Sequence, residues 1–425
     1  MSKRGSTARL VRGTALSSLA LPLVALATSP ILARALGPVG RGELAAVVTP
    51  LSLAVVIFTF GTSEAATYFA ARSRSGLDVE HHVRTALAAA TISGILGFAV
   101  LVVVAPIFLA RYPAQVSLLT LLAATLPVAL ATGAARGAHL GLGNTRLVYT
   151  ERWLSPVLRL ALILVLVAAD SLTVFTAALS TWGTGLLSGL LLFWGLPYKG
   201  GWPRLSQLTT FLPFSLRTWS GSLSGFLVLR LDQALLVLLV TPPQLAFYAI
   251  AVAVAEVPQT MIGALRQLLL AEAAGARDVS LIARSCRLVA ICGAAMAVVT
   301  ACVAPWAVPL VFGDDFQPAV LMIQILAVAA IPAGLTSVIN AGLVALGLPG
   351  RQVVNQIAAL VPSLIALPPL ALWIGGNGAA VASLLSYAAG LAVALVQLRR
   401  AAGVRPVTCL VPRVADAKTL AKLIR

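Results

Sequence analysis

The stretch "SGFLVLRLDQALLVLLV", Ser224 to Val240, decides how this chain is read. Twelve of its seventeen residues are Leu, Val, Phe or Ala, yet Arg230 and Asp232 stand in the middle. On membrane-insertion scales Leu, Val and Phe each contribute about −0.3 to −0.6 kcal/mol, whereas Arg or Asp at mid-helix costs about +2.5 to +3.5 kcal/mol. The two charges cancel most of what the rest of the segment gains, so a compensating group must exist. Residues at i and i+2 do not share a helix face. Arg230 and Asp232 therefore cannot simply satisfy each other, and at least one looks elsewhere.

The rest of the chain repeats this character. Of 425 residues, 60% are apolar or aromatic and only 10% are charged, against about a quarter charged in a soluble domain. Mean hydropathy is +0.99. These values indicate an integral membrane protein. The formal charge of +17 would fit a nucleic-acid partner, but the basic residues cluster in short loops between apolar runs, and no nucleic-acid role is expected. Cys286, Cys292, Cys302 and Cys409 form no CxxC pattern, and His81, His82 and His139 no metal-ligand spacing, so neither a disulfide framework nor a metal or cofactor site is expected.

A helix needs about 20 apolar residues to cross the hydrocarbon core. Run length places twelve, at about 14–33, 45–70, 85–109, 114–138, 153–169, 173–196, 214–240, 244–271, 286–311, 317–346, 353–373 and 377–398. The basic N-terminus before the first run imitates a signal peptide, but the apolar stretch continues to about Leu36 and reads as an uncleaved first helix. With twelve spans, Lys3, Arg4, Arg9 and Arg12 fall on the same side as most loop arginines, and the opposite side keeps only Arg34, Arg41 and Arg111 beside Asp170, Asp314 and Asp315. By the positive-inside rule both termini are cytoplasmic and the membrane is the inner, cytoplasmic one. The basic tail 401–425, ending "VADAKTLAKLIR", suits an interfacial helix on anionic lipid or a solvated end.

The polar connection "LPYKGGWPRLSQLTT" separates an N-terminal six-helix lobe, 1–200, from a C-terminal one, 201–400. Residues 139–158 align without gaps to 345–364, sharing an LGL turn (Leu140-Gly141-Leu142 on Leu346-Gly347-Leu348) and a proline (Pro156 on Pro362). An even number of helices per half makes the two lobes parallel repeats about an axis along the membrane normal. Transporters of that design hold substrate near the midplane between the halves.

Several stretches then carry a family likeness. "LARALGPVGRGELAAVV" (32–48) resembles the R-x-LG-x-x-G-x-G signature of the polysaccharide transport family, the Wzx-like oligosaccharide flippases of the multidrug/oligosaccharidyl-lipid/polysaccharide (MOP) exporter superfamily. "RLDQALLVLL" and "LAFYAIAVAVAE" resemble its helix seven and eight region, and "VPLVFGDDFQPAVLMIQILAVAAIP" its FG-x-x-F motif before helix ten. "LVALGLPGRQ" and "GGNGAAVASLLSYAAG" are similar to the turn and helix opening further on. The resemblance implies an all-α, twelve-helix, two-lobed membrane protein that moves a prenyl-diphosphate-linked oligosaccharide between leaflets by alternating access. Its implied partners are that lipid-linked substrate, membrane lipids, and a polysaccharide polymerase or glycosyltransferases. Helix one, "GTALSSLALPLVALATSPILA", lacks the acid that many multidrug antiporters carry there, which disfavours the antiporter alternative. A membrane glycosyltransferase or polymerase is the less favoured class: Asp314-Asp315 could suggest a metal-dependent glycosyltransferase, but their FG-x-x-F context reads as a loop. The loops on the side away from the termini are short and without His, and no phosphate-binding GxxxxGK[ST] loop occurs.

Ionisable residues within spans are functional candidates. Arg230, with Arg34 and Arg41, is expected to contact substrate phosphate, for which the planar guanidinium is suited. The competing reading pairs Arg230 with Glu256 or Glu64. Glu256, Asp232 and Glu64 are candidates either for carrying a coupling ion or for buried ion pairs, and Arg159, towards one end of its span, is expected to snorkel.

Overall fold

A computed structural model describes residues 3–73, 75–198, 205–256, 259 and 279–411. Among these, every regular element is helical. The chain runs α1 (Lys3–Phe58), α2 (Thr62–Arg72), α3 (Gly76–Phe108), α4 (Val116–Ala123), α5 (Leu126–Gly141), α6 (Thr145–Ala168) and α7 (Val174–Leu190). It continues through α8 (Leu205–Leu239), α9 (242–256), α10 (Val279–Phe312), α11 (Ala319–Ala345), α12 (Pro349–Ala402) and the short α13 (Pro406–Leu410). Six helices among the described residues are long and apolar enough to cross a membrane, or eight if two bent pairs each count as one span. Two of the six, α1 and α12, hide a break each.

In α1 the break is Gly37, at φ 65° and ψ −179°. Pro38 pushes the residue before it out of the helical region, and only glycine takes the left-handed φ cheaply. Helices one and two of the sequence reading thus meet at the "LGP" of the signature. In α12 the same division falls at Ile374-Gly375, where Gly375 has φ 61°. Divided there, and with α6 and α9 added, the described helices match all twelve predicted runs, although the second half of the run 244–271 lies outside the described residues. Boundaries differ in instructive ways. The predicted run 45–70 is interrupted at Phe60-Gly61, both at positive φ. The run 114–138 is bent by 46° between α4 and α5, and α8 is interrupted at Leu229, next to Arg230.

The expected internal repeat needs a change of register. Leu142, Gly143 and Asn144 close α5 with amide bonds back to Ala138, Leu140 and His139; Leu346, Gly347 and Leu348 close α11 in the same pattern, to Gly342, Val344 and Leu343. Gly143 and Gly347 both adopt positive φ, 77° and 80°, as the residue after a helix C-cap commonly does. The equivalent glycines are therefore Gly143 and Gly347, not Gly141 and Gly347, and the following helices begin in step at Thr145 and Pro349. Gly141 lies inside the last turn of α5, so the shared LGL and the shared proline were matches of composition.

The chain divides into two compact units, Met1–Phe226 with Thr241–Ala246, and Leu227–Val240 with Phe247–Arg425. In the first, a core of Ala65, Ala66, Ala86, Ala90, Ala134, Ala135 and Ala138 with Leu130, Val148 and Phe211 packs α2, α3 and α5 closely. Small side chains let helix backbones approach, which lipid-embedded packing requires because hydrocarbon gives no hydrophobic drive between helices. A Cβ on Gly137 would stand 2.1 Å from the Ser63 carbonyl, and Thr67 Oγ1 donates to the Gly137 carbonyl at 3.0 Å. In the second unit, α10, α11, the end of α12 and α13 enclose Ile282, Cys286, Val289, Leu335, Ile339, Leu343, Leu398 and Cys409. Outside these cores large apolar side chains face outward: Val103 and Ile107 are each 71% exposed, and Trp194, Trp306 and Trp373 about 80%. Apolar flanks with tryptophans near helix ends are what lipid contact selects. The chain is a multi-pass membrane protein.

The glycine packing is directly testable. Gly137→Ala forces backbone apart and should destabilise the purified protein by about 1–3 kcal/mol. Gly133→Ala, where an added Cβ meets nothing within 4 Å, should be neutral or stabilise by up to ~1 kcal/mol. Thermal melting in detergent checks both.

Candidate functional site

The charges that opened the sequence reading lie in the second unit, just past the interruption of α8. Arg230 Nη2 meets Glu256 Oε1 at 2.8 Å, with both side chains part-exposed, 36% and 42%. Asp232 turns to different partners. Its Oδ2 accepts from the Tyr248 hydroxyl of α9 and, at 3.2 Å, from the Ser383 hydroxyl of α12, while its Oδ1 accepts the Gln233 amide at 2.7 Å. The Tyr248 hydroxyl also lies 3.1 Å from Ser383 Oγ. All three side chains are buried. A carboxylate with two hydroxyl donors and an amide is well satisfied, so Asp232 ties α8, α9 and α12 together inside one unit. Tyr248 and Ser383 were not singled out from sequence. Tyr248 and Ser383 both stand in stretches that carry the family likeness, but a lone hydroxyl in an apolar run has no charge to mark it.

The first unit holds a different arrangement. Arg41, four residues past the Gly37 break, and Arg159 of α6 lie within electrostatic reach of each other. The Nε atoms of both are buried and unbonded among the described residues. Arg159 Nη2 reaches Thr28 Oγ1 of α1 at 3.5 Å, and the neighbouring Ser29 hydroxyl is buried without a partner. The two nearest carboxylates along the chain are engaged elsewhere. Glu43 accepts from Gln115 Nε2 at 3.1 Å, and Glu151 takes a two-pronged bond from Arg136 at 2.8 and 3.1 Å. Arg159 was expected near a helix end. Instead α6 starts at Thr145, just after Gly143 and Asn144, with Arg146, Glu151 and Arg152 inside its first turns. Arg159 is therefore the fifteenth residue of a 24-residue helix, not a residue near its end.

The remaining candidates are scattered. Arg34 is exposed just before Gly37, and Glu64 is exposed in the first turn of α2. Among the described residues no group of three His, Cys, Asp or Glu side chains is placed to hold a metal ion. His139 is buried with Nε2 2.7 Å from the Leu192 carbonyl, and all four cysteines are free thiols. Asp314 and Asp315 of "FGDDF" begin a single 3-10 turn after Gly313, at φ 105°, which seats Phe316 edge-on to Phe247 at 5.8 Å. That turn explains the FG-x-x-F pattern as packing. Lys199, Arg204, Arg266 and the tail from 412 lie outside the described residues.

Residues 10–268, well over half of the chain, match the family described as "Polysaccharide biosynthesis protein". Among solved structures, the chain is similar to the lipid II flippase MurJ in an inward closed conformation, at 12% identity, TM-score 0.75, covering 93% of this chain and 88% of that one. It is also similar to an inward-facing multidrug resistance MATE family transporter of the MOP superfamily, at 14% identity, TM-score 0.74, covering 92% and 98%. A Vibrio cholerae MATE transporter follows at 17% identity and TM-score 0.59, covering 93% and 98%. Likenesses at such identities concern the fold alone. No curated protein matches the chain.

The two charged clusters should respond differently to substitution. Tyr248→Phe removes the phenol donor of a buried carboxylate and should cost about 1–3 kcal/mol, read as a lower melting temperature. Arg230→Ala, breaking a part-exposed pair, should cost no more than about 1 kcal/mol. The exchange Arg230→Glu with Glu256→Arg should recover most of that loss.

Proposed function

The chain belongs to the polysaccharide biosynthesis protein family, a flippase family of the MOP superfamily, and from that premise we propose that it carries a prenyl-diphosphate-linked oligosaccharide or polysaccharide precursor from the inner to the outer leaflet of the cytoplasmic membrane. Transport as such follows from the family and the fold; the lipid-linked glycan is the proposed substrate. The observation that supports it most is the family match, which runs through Arg34 and Arg41, between the first two spans, and Arg230, within the seventh.

The chemistry suits the cargo. A diphosphate presents closely spaced oxyanions, and guanidinium groups bind such oxygens through paired donors. Held in a site shielded from water, these contacts are stronger than at a surface. The sugar requires a hydrated path while the prenyl chain remains in lipid, so an alternating-access cycle between the 1–200 and 201–400 lobes needs a lateral opening towards the bilayer. Both termini are taken as cytoplasmic, from the distribution of basic residues. Glu256 and Asp232 are candidates for coupling to a proton or cation. Asp232 has its hydroxyl partners already in place, and Glu256 is the more accessible of the two. Glu64, exposed at the start of α2, is the third candidate. A polymerase or glycosyltransferases would act on the translocated lipid.

A multidrug or small-metabolite antiporter is the second reading, favoured by the likeness to MATE transporters. The absence of any Asp or Glu in residues 13–33 weighs against the form of that activity that depends on an acid in helix one.

Cells lacking the protein should accumulate lipid-linked precursor on the cytoplasmic face. Wild type should restore normal levels, and Arg41→Ala and Arg230→Ala, at equal membrane abundance, should not. Unchanged precursor in the deletion would remove the glycolipid substrate and turn attention to drug efflux.

A further inference from the structure

Cys286 of α10 and Cys409 of α13 are far apart in sequence, yet both are closed into one core of the second unit, at 0% and 1% exposure. Their side chains are in hydrogen-bonding contact, the Cys286 thiol donating to the Cys409 sulfur. The residues beside them are joined as well: Arg287 Nη1 donates to the Thr408 carbonyl at 2.9 Å. The chain returns to α10 through Gly403, whose φ of 67° ends α12, and Ala401, Ala402 and Val404 pack against the same core. Cys292 and Cys302, further along α10, stand outside it, one half-buried and the other exposed. Among the described residues no third metal-ligating side chain joins the pair. What remains to two touching thiols is their own chemistry, oxidation to a disulfide.

We propose that Cys286 and Cys409 form a reversible disulfide on exposure to hydrogen peroxide, a clasp that fastens α13 to α10. A disulfide requires Cβ atoms about 3.5–4.5 Å apart, and thiols already in contact need the least rearrangement to reach it. The Cys409 thiolate attacks one peroxide oxygen, the O–O bond breaks, and a sulfenic acid and one water result. The Cys286 sulfur then displaces the sulfenic hydroxyl as a second water and closes the S–S bond. The two thiols together lose two electrons and two protons, and the peroxide becomes two waters. Cys409 acts first, because the hydrogen bond from Cys286 holds its thiol below the ordinary value and the thiolate is the reactive form.

Access to the buried pair comes from α13 itself. A helix of five residues does not persist alone, and Val407, Leu410 and Val411 add little to its hold because they are exposed. Local opening of such a segment bares both sulfurs, and the bridge, once closed, removes that opening. On the proposed topology this end faces the cytoplasm, where thiols are kept reduced. There the pair stays unbridged until oxidant rises, and exchange with a dithiol reopens it.

The test uses the purified full chain in nanodiscs, exposed to hydrogen peroxide, with remaining thiols blocked by N-ethylmaleimide before digestion and mass spectrometry. The peptides holding Cys286 and Cys409 should form the main intramolecular crosslink, separate with dithiothreitol, and join equally well in Cys302→Ala. Amide hydrogen exchange at residues 407–411 should slow by roughly tenfold or more on oxidation, and Cys409→Ala should show no such slowing. Recovery of Cys286 and Cys409 as unbridged residues, under conditions that oxidise Cys302, overturns the clasp. A dominant bridge from either residue to Cys292 or Cys302 does the same. A Cys286–Cys409 bridge that leaves exchange at 407–411 unchanged overturns the fastening of α13. The proposed transport stands or falls independently of these results.

Discussion

An ionised side chain within hydrocarbon has to be met by something, and the way each one is met organises this molecule. The cost of Arg or Asp at mid-span, about 2.5–3.5 kcal/mol on insertion scales, exceeds what several Leu residues return. The protein answers in three ways. Asp232 is enclosed by Tyr248, Ser383 and its own helix's amide. Arg230 faces Glu256 where both keep some access to water. Arg41 and Arg159 each keep a buried Nε without a hydrogen-bond partner, and neither forms an ion pair among the described residues. The first two are complete within one compact unit.

The same demand for satisfied polar groups shapes the backbone. Every break in a helix inside a membrane protein frees amides and carbonyls that must find partners. Here the breaks sit where the sequence supplies the conformation: Gly37 before Pro38, Gly375, and Phe60-Gly61, after which Ser215 Oγ takes up the freed Phe60 carbonyl and Trp219 Nε1 donates to Val56 O at 3.0 Å. Close packing through Gly137 and Gly94, whose added Cβ atoms would meet Ser63 and Pro127 backbone at 2.1 and 2.4 Å, leaves little room between α2, α3 and α5. The first unit is thus tight around its alanine core, while Arg41 and Arg159 lie on α1 and α6.

Much of the fold was legible because span length and loop charge are one-dimensional properties: a run of about twenty apolar residues marks itself. What was not legible depends on conformation or on distant partners. The repeat was read two residues out of register because Leu-rich segments match by composition, whereas the true marker is a positive φ at Gly143 and Gly347. Arg159 was assigned to a helix end because Arg146, Glu151 and Arg152 look like loop residues, yet Glu151 is buried against Arg136 within the helix. For the site, Arg230 and Asp232 announced themselves by charge, and the choice of Glu256 over Glu64 as the partner of Arg230 required the structure. Tyr248 and Ser383 lie 16 and 151 residues from Asp232, so their role exists only in three dimensions.

The most direct measurement of the proposed activity is the movement of a prenyl-diphosphate-linked oligosaccharide in proteoliposomes containing only this protein, followed by the fraction of sugar headgroup accessible to an external, membrane-impermeant probe. A flippase raises that fraction over protein-free vesicles, and the Arg41→Ala and Arg230→Ala variants at equal incorporation do not. Wild-type vesicles indistinguishable from protein-free ones, under an imposed ion gradient as well as without it, would contradict lipid-linked glycan transport by this chain.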